Sequence, residues 1–331
     1  MQQHDSSIVP SHRDSSPSFV VGIDVSKATL DCHLDLTGQR LSLDNDEKGI
    51  AKLIAKLRGV NVRLVVIEAT GRLHRRVGAE LIQADIPTTL VNPQRAREYA
   101  KSIGRLEKTD RVDAEVLSLF GKAAPHRLLE KTSPEQLELD DLISRRRALI
   151  QMRIAEKNRL GDQPPKLAKA QGQKLLRLLD QQIEDIDRAV AELIDSDAGW
   201  KRKAEIITSV KGLSTGTANQ ILADLPELGD LSRQQIAKLV GVAPLANDSG
   251  PHKGKRSIKG GRQGVRNALY MGAFNAMRYC ERFKQFAKRL TDAGKPFKVV
   301  MTATMRKLLV TLNEMIKTNT VYDPKRFVPV P

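Results

Sequence analysis

The sequence predicts an α/β domain followed by a long helical region. Up to about residue 130, continuous apolar segments typical of strands alternate with helical patterns. The composition changes at Ser133. Beyond it, apolar residues recur every three or four positions, which is the periodicity of a helix. The 331 residues are 40% hydrophobic, enough for two or three packed cores. No apolar run approaches the roughly 20 residues of a spanning helix, which argues against an integral membrane protein.

Residues 1–17 are polar and contain several serines, so we expect a disordered tail. Residues 18–130 then read as one domain in the order β-β-β-α-β-α-β, with further helices after it. The predicted elements are a strand from Phe19 to Val25, a strand near Leu30 to Leu36, a Thr37-Gly38 turn, a strand near Arg40 to Leu43, a helix from about Asp46 to Arg58, a strand from Arg63 to Ile67, a helix from Thr70-Gly71 to about Ala84, and a strand in 86–91 that stops at Asn92-Pro93.

Two helical regions follow, predicted at 131–199 and 200–322, with a tail at 323–331. The first begins at Ser133-Pro134-Glu135 and is interrupted at 161–166. Its second arm carries a heptad seam, which indicates an antiparallel helical hairpin, an oligomerising coiled coil, or a helix packed on its own domain. The seam consists of Leu176, Leu179, Ile183, Ile186, Val190 and Leu193. The region 200–322 reads as mainly helical around one Gly- and Lys-rich loop.

The positive charge is concentrated at one end of the chain. Of the net charge of +16, a share of +14 lies between Ser249 and Pro331. Such a surface attracts a polyanion, most commonly nucleic acid. A solubilising surface and an anionic membrane are the weaker alternatives. The two cysteines, Cys32 and Cys280, stand in no metal-binding spacing, and the first residues lack the apolar region of a secretion signal, so we expect a cytoplasmic, nucleoid-associated protein with inert thiols.

Four acids in the first domain stand out by position. Asp24 lies inside an apolar strand and Glu68 ends another, while Asp110 and Asp113 share one face of a helix. Carboxylates that converge at a sheet end can hold two Mg²⁺ ions. Each acid also has a structural alternative: an Asx turn at Asp24, a helix cap at Glu68, and helix N-terminal charges at the other two. Together they predict a ribonuclease-H-like nuclease fold.

Several segments resemble a known family. GIDVSK, IEATG, VNPQRAREYAKSIGRLEKTDRVDA and GVAPLANDSG are similar, in order and approximate spacing, to motifs of the DEDD-type transposases of the insertion-sequence group one hundred and ten, which includes the Piv DNA invertases. The similarity spans about residues 19–320. The resemblance implies a RuvC-like N-terminal domain, a coiled-coil middle and a C-terminal transposase domain.

The resemblance also implies a chemistry. Asp24, Glu68, Asp110 and Asp113 would form the DEDD tetrad that binds Mg²⁺, and Ser249 would be the nucleophile. Family members are recombinases guided by a structured bridge RNA that pairs with donor and target DNA. They act as homo-oligomers, a dimer and a tetramer in the synaptic complex, in which the serine of one subunit meets the tetrad of another.

The residues around Ser249 suit contact with phosphate. An Asn-Asp-Ser-Gly-Pro stretch favours a tight exposed turn, and a serine hydroxyl needs activation to attack. The cations downstream could grip phosphates and offset charge at the scissile phosphorus, or form a flexible contact without catalysis. They are Lys253, Lys255, Arg256, Lys259, Arg262 and Arg266.

A second nucleic-acid element is predicted at Lys211 and Gly212. The segment VKGLSTGTANQIL resembles a helix-hairpin-helix turn that presents backbone N–H groups to phosphate, although Ser214 replaces the second glycine. Non-specific phosphate contact and a purely structural turn are both consistent with it.

These observations favour an Mg²⁺-dependent, RNA-guided DNA transposase or recombinase with a phosphoserine intermediate. The rivals are a RuvC-like nuclease or resolvase that hydrolyses with water, a site-specific invertase that needs no RNA, and an architectural nucleic-acid-binding protein with a decayed active site.

Overall fold

The fold is described from a computed structural model. The structure describes residues 18–69, 73–105, 110–123, 126–131, 133–161, 164–246, 248–249, 252–254 and 256–326. The side chains of residues 110–112, 248–249, 252–253 and 326 are outside this description. The chain divides into an N-terminal unit that ends at Thr132 and a C-terminal unit that begins at Ser133. The predicted tail at 1–17 lies outside the described residues.

The N-terminal unit is built on a five-stranded mixed sheet in the order β3-β2-β1-β4-β5. β1, β2 and β3 pair antiparallel, whereas β4 and β5 run parallel to β1. This topology confirms the predicted ribonuclease-H-like fold. The elements are β1 (Phe19–Val25), β2 (Thr29–Leu34), β3 (Gln39–Asp44), α1 (Glu47–Arg58), β4 (Val62–Glu68), α2 (His74–Gln83), β5 (Thr88–Val91), α3 (Pro93–Ser102) and α4 (Asp110–Ala123).

Three element boundaries differ from those predicted by more than one residue, and the first is β5, which begins at Thr88 and not at residue 86. β2 ends at Leu34 because residues 35–38 form the turn into β3, which leaves Leu36 exposed. α2 begins at His74, and the predicted helix start at Thr70-Gly71 falls on residues outside the described part of the chain. α1 begins as predicted, because the side chain of Asp46 accepts a hydrogen bond from the Gly49 amide and caps the helix.

The sheet is covered on both faces. Val21, Ile23 and Ile67 belong to one apolar cluster, which also contains residues of α1 and α2. Val20 and Val66 belong to the other, with Leu117 and Phe120 of α4. Since side chains alternate along a strand, the even-numbered residues of β1 and β4 face α4.

The C-terminal unit is mainly helical. Its elements are α5 (Pro134–Gly161), α6 (Lys166–Ser196), α7 (Ala198–Thr208), α8 (Thr215–Asp224), α9 (Arg233–Val240), β6 (Asp248–Ser249), β7 (His252–Lys253), α10 (Gln263–Tyr279), α11 (Glu281–Asp292), α12 (Phe297–Lys317) and a 3-10 turn (Pro324–Arg326). None of the described helices combines the length and apolar composition needed to cross a membrane.

α5 and α6 form an antiparallel hairpin. Arg153 on α5 donates to Asp180 on α6 at 2.9 Å, and Leu149 packs against Leu179 and Ile183 of the predicted seam. The end of the hairpin near the chain connection to α7 belongs to the same apolar core as α7–α12. Leu139, Ile143, Val190 and Ile194 lie in that core. The seam is therefore used within the chain, and a coiled coil between subunits stays a prediction.

Candidate functional site

Asp24 and Glu68 lie at corresponding ends of neighbouring strands. β1 and β4 are parallel, and Ile23 pairs with Ile67, so the two acids hold the next position of the register. Both are even-numbered and thus lie on the face of the sheet that α4 covers. The sequence predicted a convergence at this end of the sheet, and the strand register brings these two positions together.

α4 brings the remaining two predicted acids to the same end of β1. A Cβ atom on Gly22 would lie 2.0 Å from the carbonyl oxygen of Ala114, whereas one on Gly121 would meet Val20. α4 therefore runs antiparallel to β1, and its first turn, with Asp110 and Asp113, lies toward Asp24. The side chain of Asp110 is outside the described part of the structure.

The structure does not assemble a complete metal-binding group from the side chains it describes. Among them, no three His, Cys, Asp or Glu residues lie close enough together to hold an ion. The predicted tetrad is thus placed on one face and at one end of the sheet by the backbone, while its coordination geometry stays a prediction.

Asp31 is an additional acid that sequence reasoning did not single out. It pairs directly with Asp24 across β1 and β2, and so lies on the same face of the sheet. The Thr29 hydroxyl donates to its carboxylate at 3.1 Å, and Asp31 lines a cleft with Arg40 and Ala114. The alternation of β2, where Leu30, Cys32 and Leu34 are buried on the opposite face, shows which side Asp31 takes but not that Asp24 lies beside it.

Two buried groups near this region are held in their neutral forms. Burial, and secondarily the charge of Asp31, raises the pKa of the Cys32 thiol to about 12, which makes it a poor nucleophile as predicted. His33 is 7% exposed, and its Nδ1 lies 2.8 Å from the Ser118 hydroxyl of α4. Burial lowers the pKa of His33 below its ordinary value of 6.5.

Ser249 lies in a short β-hairpin, the serine hairpin (residues 245–257). The sequence predicted only an exposed turn, but β6 and β7 pair antiparallel with Ser249 opposite His252. Further from the tip, the Leu245 amide donates to the Ser257 carbonyl at 2.9 Å. The described pairs are Leu245 with Ser257, Asp248 with Lys253 and Ser249 with His252, and residues 247, 250–251 and 255 lie outside the described part.

The stem of the serine hairpin is anchored by glycines. Gly241, at φ +77°, ends α9, and a Cβ on it would lie 2.2 Å from the Gly260 carbonyl oxygen. Gly261 has φ +75°, and a Cβ on it would lie 2.4 Å from the amide nitrogen of Gly241. The two sides of the stem therefore meet at a contact that only glycine permits.

Arg262 and Arg266, predicted to contact nucleic acid, donate hydrogen bonds to protein groups, and their contact with nucleic acid stays a prediction. Arg262 donates through both terminal nitrogens to the Glu227 carboxylate, each at 2.6 Å, and to the Asp224 carbonyl at 2.9 Å. Arg266 donates to the carbonyls of Val240 and Gly260. Through these hydrogen bonds the two arginines anchor the stem to neighbouring segments of the C-terminal unit.

The other cations of the loop differ from these two. Arg256 and Lys259 have exposed side chains, as the prediction of a phosphate contact requires. The side chains of Lys253 and Lys255 lie outside the described residues. A phosphate contact by these four therefore stays a prediction.

The predicted helix-hairpin-helix element is a helical turn between α7 and α8. Gly212 has φ +100°, and a Cβ on it would lie 2.8 Å from the backbone carbon of Asn275 on α10. The Ser214 side chain accepts from the Thr217 amide and caps α8. Packing accounts for the glycine without any phosphate, while Lys211 is exposed beside it. The structure thus favours the structural turn at Gly212.

The start of α10 rests on an acidic network that the sequence did not reveal. A Cβ on Gly264 would lie 2.1 Å from the Asp224 carboxylate, which also accepts from Arg147 at 2.8 Å and from Gln220. A carboxylate at a helix N-terminus is stabilised by the helix dipole. No local pattern could have shown it, because its members are far apart in the sequence.

The chain is similar to insertion-sequence transposases in two regions. Residues 21–163 match the DEDD transposase family of IS110, and residues 204–288 match the transposase family IS116/IS110/IS902. The pilin gene-inverting proteins of Moraxella bovis and Moraxella lacunata are each 27% identical over 316 residues, covering 92% of this chain and 98% of theirs. The transposase for insertion sequence element IS1111A of Coxiella burnetii is 24% identical over 311 residues, covering 84% of each chain.

A weaker likeness joins the chain to a RuvC structure. Thermus thermophilus RuvC in complex with a Holliday junction substrate is 13% identical, with a TM-score of 0.25, over 34% of this chain and 100% of that one. A likeness at this level carries no argument about the fold, which the order and direction of the strands in the N-terminal unit show instead. The two family matches together span more than half of the chain. The chain therefore belongs to the IS110 family of DEDD transposases and is a DNA recombination enzyme of a class that uses divalent metal ions.

Proposed function

We propose that this enzyme cuts and rejoins DNA through a phosphoserine intermediate at Ser249, with Mg²⁺ held by Asp24, Glu68, Asp110 and Asp113. The observation that carries the proposal is the placement of Asp24 and Glu68 on one face and at one end of the sheet, where α4 begins with the other two acids.

The donor set fits magnesium. All four predicted ligands are carboxylates, the hard oxygen donors that Mg²⁺ prefers, and Cys32 on the opposite face is a neutral thiol. Two such ions, when bound there, would offset charge on the oxygens of a DNA phosphate. Asp31, opposite Asp24, adds negative charge to the same face and supports a site for cations.

The serine step conserves bond energy. The Ser249 Oγ attacks a DNA phosphorus, the P–Oγ bond forms as the bond to the 3′ oxygen breaks, and the serine proton balances the released 3′-hydroxyl. A later attack by a 3′-hydroxyl on the phosphoserine reverses these changes and restores the serine. The position of Ser249 next to the tip of a hairpin with an anchored stem suits a nucleophile that must reach a phosphate.

We extend the proposal to the partners. A structured guide RNA pairs with donor and target DNA, and the enzyme assembles as a dimer and then as a tetramer, with the serine of one subunit acting with the tetrad of another. The exposed cations Arg256 and Lys259 support contact with nucleic-acid backbones.

A covalent-adduct assay tests the serine. Ser249→Ala should abolish both the protein–DNA adduct and strand exchange, and Asp24→Asn should do the same. Ser257→Ala is the matched control, because Ser257 uses its backbone carbonyl in the hairpin and should keep full activity. If Ser249→Ala still cuts DNA while Asp24→Asn does not, the enzyme is a nuclease that hydrolyses with water.

Two further measurements separate the remaining alternatives. RNA that co-purifies with the protein from cells carrying the flanking DNA of the element should be sequenced. Recombination without any element-derived RNA would indicate an invertase that needs no guide. Failure of the wild-type protein to bind a divalent ion or to cut any strand would indicate an architectural protein.

A further inference from the structure

One face of α10, the α10 face, is formed by Tyr270, Met271, Phe274 and Arg278. Tyr270, Phe274 and Arg278 are spaced by four residues and therefore follow one side of the helix. Tyr270 is 43% exposed and Met271 is 53% exposed, and Tyr279, 61% exposed, adjoins the end of the face. The opposite side of α10, with Leu269 and Ala273, is buried in the core, and Phe274 is partly buried against that core, whereas Tyr270 and Met271 are exposed.

The exposure of these tyrosines is selective. The chain has 4 tyrosines, and the other two, Tyr99 and Tyr322, pack against apolar clusters inside their units. A contiguous group of large, exposed apolar side chains is typical of an interaction surface.

Arg278 joins the aromatic rings of this surface. Its guanidinium carbon lies 5.8 Å from the centre of the Phe274 ring and 5.9 Å from that of Tyr279. A guanidinium beside aromatic rings presents a flat, cationic surface to a partner. Nucleic-acid bases stack on surfaces of this composition.

The charge around the α10 face matches a polyanion. Residues 249–280 contain seven Lys or Arg and no Asp or Glu, and the two acids at the start of α10, Asp224 and Glu227, are paired with Arg147 and Arg262. Tyr270 follows Gln263, the first residue of α10, by seven residues, which places it about 10 Å along the helix from the stem of the serine hairpin. A DNA strand that runs from Ser249 along the stem would therefore approach the first half of α10.

We propose that the α10 face stacks on unpaired DNA bases beside the phosphate that Ser249 attacks. This inference rests on the proposed function, which brings a DNA strand to the serine hairpin and separates bases during strand exchange. Tyr270 and Arg278, with the exposed part of Phe274, supply the stacking surface, and the neighbouring cations hold the backbone.

Abasic DNA separates stacking from charge. The full chain, in EDTA so that no strand is cut, is titrated with a labelled single strand of DNA and with the same strand made abasic at its central positions. Wild type should bind the strand with bases about tenfold more tightly, the effect of stacking one base. Tyr270→Ala should remove that preference without changing the affinity for the abasic strand, and Tyr270→Phe should keep it.

Phe297→Ala is the matched control, since Phe297 is an aromatic residue 58% exposed on α12. It should leave the preference unchanged, and circular dichroism should show each variant folded. Equal binding of the two strands by wild type would overturn the inference. So would a Tyr270→Ala defect limited to RNA or duplex DNA, or one that alters only the oligomeric state. Because this assay needs no cleavage, loss of the adduct in Ser249→Ala tests the proposed function separately.

Discussion

Gly22 lies where β1 and α4 come closest. A Cβ atom there would lie 2.0 Å from the Ala114 carbonyl oxygen and 2.6 Å from the Ser118 amide, both backbone atoms that cannot turn aside. Gly22→Ala should therefore push α4 away from β1 and destabilise the N-terminal unit by about 1–3 kcal/mol. Urea unfolding followed by circular dichroism measures the change.

Gly161→Ala provides the control for this prediction. Gly161 ends α5, and its Cβ would meet nothing within 4 Å, so the free energy of unfolding should change by less than about 0.5 kcal/mol. An equal effect of the two substitutions would show that the contact of Gly22 with α4 does not limit stability.

His33 should make the N-terminal unit sensitive to acid. Burial lowers its pKa below the ordinary value of 6.5, so the unfolded chain binds its proton more readily than the folded one. The contribution of His33 to the free energy of unfolding is fully present above pH 6.5. It is lost as the pH falls through the pKa of His33 in the folded chain. An NMR titration of the His33 ring checks it, and a midpoint at or above 6.5 would contradict the prediction.

Single residues also show where sequence reasoning ends. Asp24 could be recognised because a charge inside an apolar strand is unusual. Asp31 could not, because a polar residue alternating with Leu30 and Cys32 is typical of a solvent-facing strand position. Only the pairing of β2 with β1, beneath α4, places it beside Asp24.

At the scale of elements, the sheet was more predictable than the serine hairpin. β1 and β4 are continuous apolar strands, so their sequence shows them directly. β6 and β7 have two residues each, too few for any periodicity, and their stem depends on contacts from α9. The roles of Arg262 and Arg266 were missed for the same reason, since Glu227 lies 35 residues from Arg262.

The anchor of the serine hairpin predicts a positioning effect. Arg262→Ala removes two hydrogen bonds to the Glu227 carboxylate and one to the Asp224 carbonyl, which should cost about 1.5–3 kcal/mol of stability in the C-terminal unit. It should also lower the rate of adduct formation at Ser249 at saturating DNA. Rapid-quench assays of the adduct measure this rate.

Arg233→Ala is the control for this effect, because Arg233 is exposed at the start of α9 and lies away from the stem contacts described above. Its adduct rate should equal that of wild type. If Arg262→Ala weakens DNA binding but keeps the rate at saturating DNA, Arg262 contacts DNA and does not position the hairpin.

At the scale of the whole molecule, charge and chemistry are divided between the two units. The first 248 residues carry nearly equal numbers of acids and bases, whereas the segment from Ser249 onward carries +14. The carboxylate face belongs to the N-terminal unit, and the excess cations belong to the C-terminal unit. Attraction of DNA by charge should therefore depend mainly on the C-terminal unit.

The salt dependence of DNA binding tests that division. Each phosphate contact contributes about 0.9 to the slope of log affinity against log salt for duplex DNA, because binding releases counterions. Arg256→Ala with Lys259→Ala should lower the slope by about 1.8, if both exposed cations contact phosphates. Lys48→Ala with Lys52→Ala removes the same charge from α1 of the N-terminal unit and should leave the slope unchanged. Equal slopes for the two double variants would mean that the cations of the serine hairpin act only through net charge, and the phosphate contact assigned to them would be wrong.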